Sequence, residues 1–214
     1  MKDIAVIGLG KFGESVARYY AEMGGNVLAI DNNEEKIQEI SEVVTYAVKA
    51  DVTDPDVVRT LGLSNMDVVV VAMTDNMEAT IMATIFAKEE GVPLVIVKSR
   101  SDLYEKVLKK VGADVVVFPE KEMGNRVARR VAVDNLIELI DLSDDYSIAE
   151  VVIPEKWVGK TLVELDIRRK YGINVLAEKK DGKINAKLDP SEPFVKDTTL
   201  IVMGETKIIE KKIR

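Results

Sequence analysis

Short apolar runs alternate with amphipathic segments along the first 118 residues. The run at residues 67–72 is typical of a strand that is buried on both faces of a sheet. The segments between the runs carry apolar residues at helical spacing, and capping residues such as Asn33 and Asp54 precede two of them. Six strands that alternate with five helices predict an α/β fold with a doubly wound parallel sheet of the Rossmann type. The predicted strands are residues 4–7, 27–30, 45–50, 67–72, 94–97 and 113–118.

The hydrophobic pattern changes after residue 118. Residues 119–139 have apolar side chains at helical spacing and predict one long helix, and the acidic, turn-forming residues 141–146 predict a linker. Short strands around the hairpin signal Asp181-Gly182 then predict a small α+β domain. Its predicted elements are an edge strand at residues 147–153, a helix at 159–170, strands at 173–178, 184–187 and 199–203, and a helix at 205–213.

These elements divide the chain into three predicted parts. Residues 1–118 form a Rossmann domain, residues 119–146 form a crossover helix and linker, and residues 147–214 form the small α+β domain.

A glycine motif follows the first predicted strand. Gly8, Gly10 and Gly13 fit the pattern G-x-G-x-x-G, with a strand before it and a helix after it. In such a motif the first glycine allows a tight turn, the second lets a pyrophosphate approach the backbone, and the third lets the helix pack closely on the strands. The helix N-terminus offers free N–H groups and a partial positive charge to the phosphates. The sequence therefore predicts a nucleotide site in this turn.

An acidic residue closes the second strand of this βαβ unit. Asp31 stands at the distance from the glycines at which an acid accepts hydrogen bonds from ribose hydroxyls. Asn32 and Asn33 follow it and are expected either to cap the next helix or to reach the ribose or adenine. No arginine follows Asp31 directly, which favours NAD or an adenosine nucleotide over NADP.

Asp51 and Thr53 follow the third predicted strand. Because open α/β sheets bind ligands at the carboxyl ends of their strands, either side chain can reach an adenine edge. Alternatively, Asp51 serves only as a loop acid or helix cap.

The composition excludes several classes of function. The chain has 214 residues with no cysteine and no histidine, which excludes disulfides, thiolate nucleophiles, zinc–thiolate sites and histidine bases. Its net charge of −7, without a basic stripe, argues against nucleic-acid partners and against adhesion to anionic lipid. No signal peptide or bilayer-spanning apolar run is apparent, so we expect a soluble, cytoplasmic protein that does not insert into the membrane.

Two functions remain open on these residues. An NAD-dependent oxidoreductase would use the cofactor half of the chain, but it would lack the histidine that usually moves the substrate proton. A ligand-sensing regulator needs one good binding site and no chemistry. This second function agrees better with the sequence. If the chain bound NAD(H) alone, it would instead be a redox-sensing NAD(H)-binding protein, which stands with the oxidoreductase as the alternative.

Several segments in order along the chain resemble one family. The segments GLGKFGESVA, AIDNNEEKI, KADVTD and FPEKEMGNRVARR resemble the RCK domains, which combine a TrkA-N and a TrkA-C half and regulate potassium uptake systems of the Trk and Ktr type. The segment TLVELDIRRKYGINVLAEKKDG resembles the TrkA-C half. The resemblance covers nearly the whole chain and implies a non-enzymatic protein.

The resemblance also implies roles for individual residues. Lys11 and Phe12 would lie along the phosphates with the three glycines, and Lys11 stands where many relatives have an arginine that reaches a terminal phosphate. Glu120 matches the glutamate of the P-E-K motif, which approaches the terminal phosphate together with a divalent cation; alternatively, it is a first-turn acid stabilised by the helix dipole. Lys98 and Arg100 would line the cleft or else lie on the surface.

The family resemblance further implies an assembly. The chain would form a homodimer that assembles into a larger ring beneath a membrane-embedded potassium channel or transporter subunit. ATP, ADP or NAD(H) would set the shape of the ring and thereby switch potassium uptake. Cyclic di-AMP would bind some members at the TrkA-C dimer interface, where Arg168 and Asn174 are the candidate residues here.

Overall fold

A computed structural model describes residues 1–212 of the chain. The chain folds into two compact units, residues 1–122 and the residues from Met123 onward.

The first unit is a parallel six-stranded sheet with helices between its strands. The strand order is β3-β2-β1-β4-β5-β6, which confirms the predicted doubly wound sheet. The elements in chain order are β1 (Ile4–Ile7), α1 (Lys11–Glu22), β2 (Val27–Asp31), α2 (Glu34–Ser41), β3 (Tyr46–Lys49), α3 (Pro55–Thr60), β4 (Val68–Val71), α4 (Met77–Glu89), β5 (Leu94–Lys98), α5 (Asp102–Lys110), β6 (Val115–Val117) and α6 (Pro119–Ala132).

Alternate residues of the central strands enter two separate cores. Ala5 and Ile7 of β1 pack in one cluster with the helices on one face, and Ile4 and Val6 pack in a second cluster. Because both faces are covered, the central strands need apolar side chains at every position, which explains their unbroken apolar runs. β1 lies between β2 and β4 in parallel register, with Ile7 opposite Ile30 and Val71.

The order of strands reverses between β1 and β4. At this switch point the chain leaves β1 and β4 toward opposite sides of the sheet, and a crevice opens at the carboxyl ends of the two strands. The loops that follow β1, β2, β3, β4 and β5 all lie at this edge because the strands are parallel.

The second unit is an antiparallel sheet over one apolar core. Its strand order is β10-β9-β11-β8-β7, and Val151, Leu200 and Trp157 are among the side chains buried against it. The elements are β7 (Leu136–Asp141), β8 (Tyr146–Val152), α7 (Leu162–Leu165), α8 (Ile167–Tyr171), β9 (Asn174–Lys180), β10 (Lys183–Asn185), β11 (Thr199–Glu205) and α9 (Thr206–Lys212). The predicted end of the last helix, Ile213, lies outside the described residues.

The predicted long helix over residues 119–139 was wrong. α6 ends at Ala132, and residues 136–141 form β7, which pairs with β8. The predicted linker is the turn of this hairpin, closed by a 2.8 Å hydrogen bond from the Leu142 N–H to the Tyr146 carbonyl. Leu136 and Leu139 fit helical spacing, but Leu136 is buried in the core of the second unit as a strand residue. β8 is consequently not the predicted edge strand, because it lies between β11 and β7.

Candidate functional site

The three positions of the β1–α1 turn require glycine for different physical reasons. Gly8 has a φ of +94°, and a Cβ there would lie 2.6 Å from the Met73 side chain. A Cβ on Gly13 would overlap the Gly8 carbonyl oxygen, so Gly13 permits the close packing of α1 on the turn. A Cβ on Gly10 would meet no protein atom within 4 Å. Gly10 therefore leaves space that the protein itself does not fill.

The N-terminus of α1 has no protein cap. Gly10 occupies the N-cap position and has no side chain to accept from the first-turn N–H groups. These groups have no carbonyl partner within the helix, and the helix dipole adds a partial positive charge. This terminus is therefore suited to bind an anion.

A cavity of about 560 Å³ opens in front of this helix terminus, within the size range of small-molecule sites. It brings together most of the residues that the sequence nominated. Those in its walls are Gly8, Gly10, Lys11, Phe12, Asp31, Asn32, Asp51, Thr53, Lys98, Arg100 and Glu120. Gly13 is the exception, because it packs α1 against the turn instead of facing the cavity.

Asp31 links the glycine turn to the end of β2. Its Oδ2 accepts a 2.6 Å hydrogen bond from the Leu9 N–H, and its Oδ1 accepts one of 2.9 Å from the Asn33 N–H. The residue is 8% exposed, and the exposed part faces the cavity. Asp31 thus fixes two loops and presents a carboxylate to the place where a ribose would lie.

Asn32 and Asn33 divide the two roles that the sequence left open. The Asn33 side chain caps α2 by accepting from the N–H groups of Glu35 and Lys36. Asn32 is exposed and lines the cavity instead.

Asp51 and Thr53 form a local turn beside the cavity. Asp51 Oδ1 accepts from the Thr53 N–H at 2.9 Å and from the Thr53 hydroxyl at 2.7 Å. The bond from the backbone N–H, followed by the bond from the hydroxyl, lowers the pKa of Asp51. Asp51 is therefore ionised at neutral pH, and it shapes its loop as well as facing the cavity.

Two ion pairs lie at the end of β5. The Lys98 ammonium is 2.6 Å from Glu120 Oε1 and 5.7 Å from the centroid of the Phe12 ring. The hydrogen bond from Lys98 holds the pKa of Glu120 below its ordinary value. Arg100 Nη1 lies 2.7 Å from Asp75 Oδ1. Lys98 is buried in the cavity wall, which corrects the alternative that it lies on the surface, whereas Arg100 is exposed.

Lys36 and the β4–α4 loop were missed by the sequence reasoning. Lys36 Nζ lies 3.3 Å from Asp31 Oδ2 and lines the cavity, so a cation accompanies Asp31 although no arginine follows it directly. Its position in the first turn of α2, shortly after Asp31, was the available signal. Met73, Thr74 and Asp75 also line the cavity. Their position after β4, at the switch point, was the corresponding signal.

Acidic clusters that could hold a metal ion do not occur in the described part of the chain, where no group of three or more Asp or Glu side chains is suitably placed. Glu120 pairs with Lys98 instead. A cation beside it would need most of its ligands from a phosphate and from water.

Arg168 and Asn174 lie close in sequence in the second unit. Arg168 is exposed on α8, and Asn174 is the first residue of β9.

Over residues 1–212, none of the helices combines the length and apolar character that crossing a membrane requires.

Comparison with known proteins identifies the two units. A family model described as the TrkA-N domain matches residues 4–119, and one described as the TrkA-C domain matches residues 148–212. The Ktr system potassium uptake protein C of Bacillus subtilis (strain 168) is 40% identical over 210 residues, covering 98% of this chain and 95% of the relative. The Ktr system potassium uptake protein A of Vibrio alginolyticus is 35% identical over 213 residues, covering 100% of this chain and 97% of the relative.

The fold is shared with a solved channel structure. The GsuK channel bound to NAD matches with a TM-score of 0.65 at 16% identity, over 97% of this chain and 38% of that chain. At this identity the likeness shows the fold alone. Together with the sequence relatives, it agrees with the resemblance that the motifs indicated. The chain therefore belongs to the family of proteins that combine a TrkA-N with a TrkA-C domain, the family of the Ktr system potassium uptake proteins A and C.

Proposed function

We propose that this chain is the nucleotide-sensing regulatory subunit of a potassium uptake system of the Ktr or Trk type. One observation carries the proposal: a single cavity contains an uncapped helix N-terminus, a buried acid at the end of β2 and several cations. The names of the relatives supply the biological context, since they are potassium uptake proteins over nearly their whole length.

The cavity suggests how an adenosine nucleotide would lie. Its phosphates would meet the N–H groups of α1 and the side chains of Lys11 and Lys98. Its ribose hydroxyls would donate to Asp31, with Asn32 beside them, and its adenine would face Asp51 and Thr53. The ligand would be ATP, ADP or NAD(H), and the NAD in the GsuK channel supports a dinucleotide in this fold.

A divalent cation would accompany the terminal phosphate. Glu120 would supply one carboxylate oxygen to it, and the phosphate and water would supply the rest. Such a cation removes the repulsion between the carboxylate and the phosphate.

The proposed mechanism is allosteric. Homodimers of the chain would assemble into a ring on the cytoplasmic face of a membrane-embedded potassium channel or transporter subunit. A nucleotide can shift the ring between two states only by the difference in its affinity for them, so ATP and ADP must differ in that respect to switch uptake. In the second unit, Arg168 and Asn174 would contact cyclic di-AMP.

A transport assay tests the proposal. Cells without their own potassium uptake would express a Ktr membrane subunit with the wild-type chain, with Lys98→Met or with Lys121→Met. Lys121 is a matched control because it lies in α6, pairs with Asp102 at 2.8 Å and does not line the cavity. We expect the wild type and Lys121→Met to restore growth at low potassium. With Lys98→Met, we expect transport to lose its response to the nucleotide. Equal transport with ATP and with ADP in reconstituted vesicles would contradict the mechanism.

An assay of NADH consumption by the purified protein distinguishes the proposed function from the alternative. An NAD-dependent oxidoreductase would consume NADH in the presence of a substrate. Regulation of transport by nucleotide without turnover of the nucleotide is the outcome that the proposed function requires.

A further inference from the structure

Both cations at the carboxyl end of β5 already have an acidic partner in the cavity. Lys98 pairs with Glu120 at 2.6 Å, and Arg100 pairs with Asp75 at 2.7 Å. All four side chains line the cavity. A phosphate that enters must therefore compete with a carboxylate for each of these cations.

The two cations differ in how strongly each needs its acidic partner. The side chain of Lys98 is 8% exposed, whereas that of Arg100 is 58% exposed. A buried ammonium has lost most of its hydration and is costly to leave without an anion, but an exposed guanidinium is solvated by water. Lys98 consequently requires an anionic partner whether the cavity is empty or occupied.

Lys98 lies beside the place where phosphates would bind. Its ammonium is 5.7 Å from the ring of Phe12, which belongs to the first turn of α1. The carboxylate of Glu120 is held at the same ammonium. A phosphate that contacts the Lys98 ammonium would repel this carboxylate unless a metal ion lay between them.

We infer that, where no divalent cation bridges them, the phosphates of a bound nucleotide replace Glu120 as the anion partner of Lys98 and thereby remove this tie on the first turn of α6. The inference rests on the proposed function, whose site it deepens. Glu120 is 62% exposed at its side chain, so it can move into water when the phosphate takes its place. In water it remains a first-turn acid that the helix dipole favours.

The identity of the released helix makes this exchange regulatory. α6 begins in the first unit, and its residues from Met123 belong to the second. Farther along the helix, Arg126 binds Glu138 and Arg129 binds Asp141, each at 2.6 Å. Exchange at Lys98 therefore loosens the first turn of α6, which Lys121 still joins to Asp102 at 2.8 Å, while the farther part of the helix stays fixed to β7.

Calorimetric titration of the full-length chain with ADP tests the exchange, with EDTA present so that no cation bridges Glu120 and phosphate. Glu120→Gln removes the competing charge, and we expect it to bind ADP about 2- to 5-fold more tightly than wild type. Lys98→Met is expected to weaken binding by about tenfold or more. In the double variant the gain from Glu120→Gln should disappear, because nothing remains to compete for.

Glu122→Gln is the matched control. Glu122 lies in the same helical turn as Glu120 and does not line the cavity, so its neutralisation should leave ADP affinity unchanged. Glu120→Ala provides a second variant with the same expected gain. If wild type binds ADP but neither Glu120 variant binds it more tightly, the exchange is overturned while the proposed function stands. If wild type binds none of ATP, ADP, NAD or NADH, the proposed function fails and the inference fails with it.

Hydrogen–deuterium exchange measures the release of the helix. With EDTA present, saturating ADP should raise deuterium uptake at residues 119–124 of the wild type. In Glu120→Gln the uptake should already be high without ADP and should change little when ADP is added. Unchanged uptake in the wild type at saturation would overturn the release.

Discussion

The two units use charged and polar side chains in opposite ways. In the first unit, the pairs Lys98–Glu120 and Arg100–Asp75 lie in the wall of a cavity, where a ligand can replace one partner. In the second unit, the polar groups around Ser147 form a closed network, in which they pair with one another and do not line that cavity. The buried Ser147 hydroxyl donates to Asp141 Oδ1 at 2.9 Å and lies 2.6 Å from the Thr206 hydroxyl.

This difference follows from the two sheets. Parallel strands gather their loops at one edge, so the polar ends of β1 to β5 meet around one space. In the second unit, the antiparallel strands β7 and β8 are joined by a hairpin, and Asp141 and Ser147 meet across it. Over residues 1–212, every buried side-chain nitrogen or oxygen atom of either unit has a hydrogen-bond partner. The polar groups of the first unit therefore do not lack partners. They differ from those of the second unit because they face a space that a ligand can enter.

The largest expected effect is in the glycine turn, where Gly13 serves helix packing and Gly10 faces the cavity. Gly13→Ala places a methyl group against the Gly8 carbonyl, and we expect the free energy of unfolding to fall by about 3 kcal/mol. Gly10→Ala meets no protein atom and should cost less than about 1 kcal/mol. Urea denaturation measures both values. Equal losses in the two variants would show that Gly10 also serves packing.

A second prediction concerns the closed network of the second unit. Asp141→Ala removes the acceptor of both Arg129 and Ser147, and we expect a loss of about 1–2 kcal/mol in the free energy of unfolding. ADP affinity should stay unchanged, since Asp141 does not line the cavity. A weaker ADP complex in this variant would break the distinction between the units.

A smaller effect is expected from the exchangeable pair. Glu120→Gln leaves Lys98 without its anion and should destabilise the empty protein by about 0.5–1 kcal/mol. Saturating ADP supplies a new anion, so the melting temperature should rise more in Glu120→Gln than in wild type. Thermal denaturation with and without ADP measures this difference. An equal rise in both proteins would mean that phosphate does not reach Lys98.

The pH dependence of the same pair gives the smallest expected effect. The pKa of Glu120 lies below its ordinary value of 4.5 because Lys98 donates to it. Ionised Glu120 therefore stabilises the fold above that ordinary pKa, and this stabilisation is lost as the pH falls through the lowered pKa. The stability difference between wild type and Glu120→Gln should be constant near neutral pH and vanish in acid. A difference that persists in acid would exclude the ion pair as its source.

Most of the first unit could be predicted from the sequence. The apolar runs indicated the six strands, most clearly β1, β2 and β4, in which every residue is buried. The spacing from Gly8 to Asp31 indicated two walls of the cavity. The order of residues in the TrkA-N and TrkA-C segments was sufficient to indicate the family.

Other features depend on tertiary contacts and could not be predicted. Leu136 and Leu139 fit a helix as well as a strand, and only pairing with β8 decides for the strand. Lys36 reaches Asp31 because α2 folds back over the end of β2. The pairing of Lys98 with Glu120 joins residues 22 positions apart, and no local pattern indicates it.

Calorimetric titration of the full-length protein with ATP, ADP, NAD and NADH, each with and without magnesium, tests the central claim most directly. Gly10→Ala is the informative variant, because its methyl group would enter the cavity without disturbing the fold. We predict binding of at least one adenosine nucleotide to wild type and a marked loss of affinity in Gly10→Ala. Absence of binding by all four nucleotides, or equal binding by wild type and Gly10→Ala, would contradict a phosphate site at the N-terminus of α1.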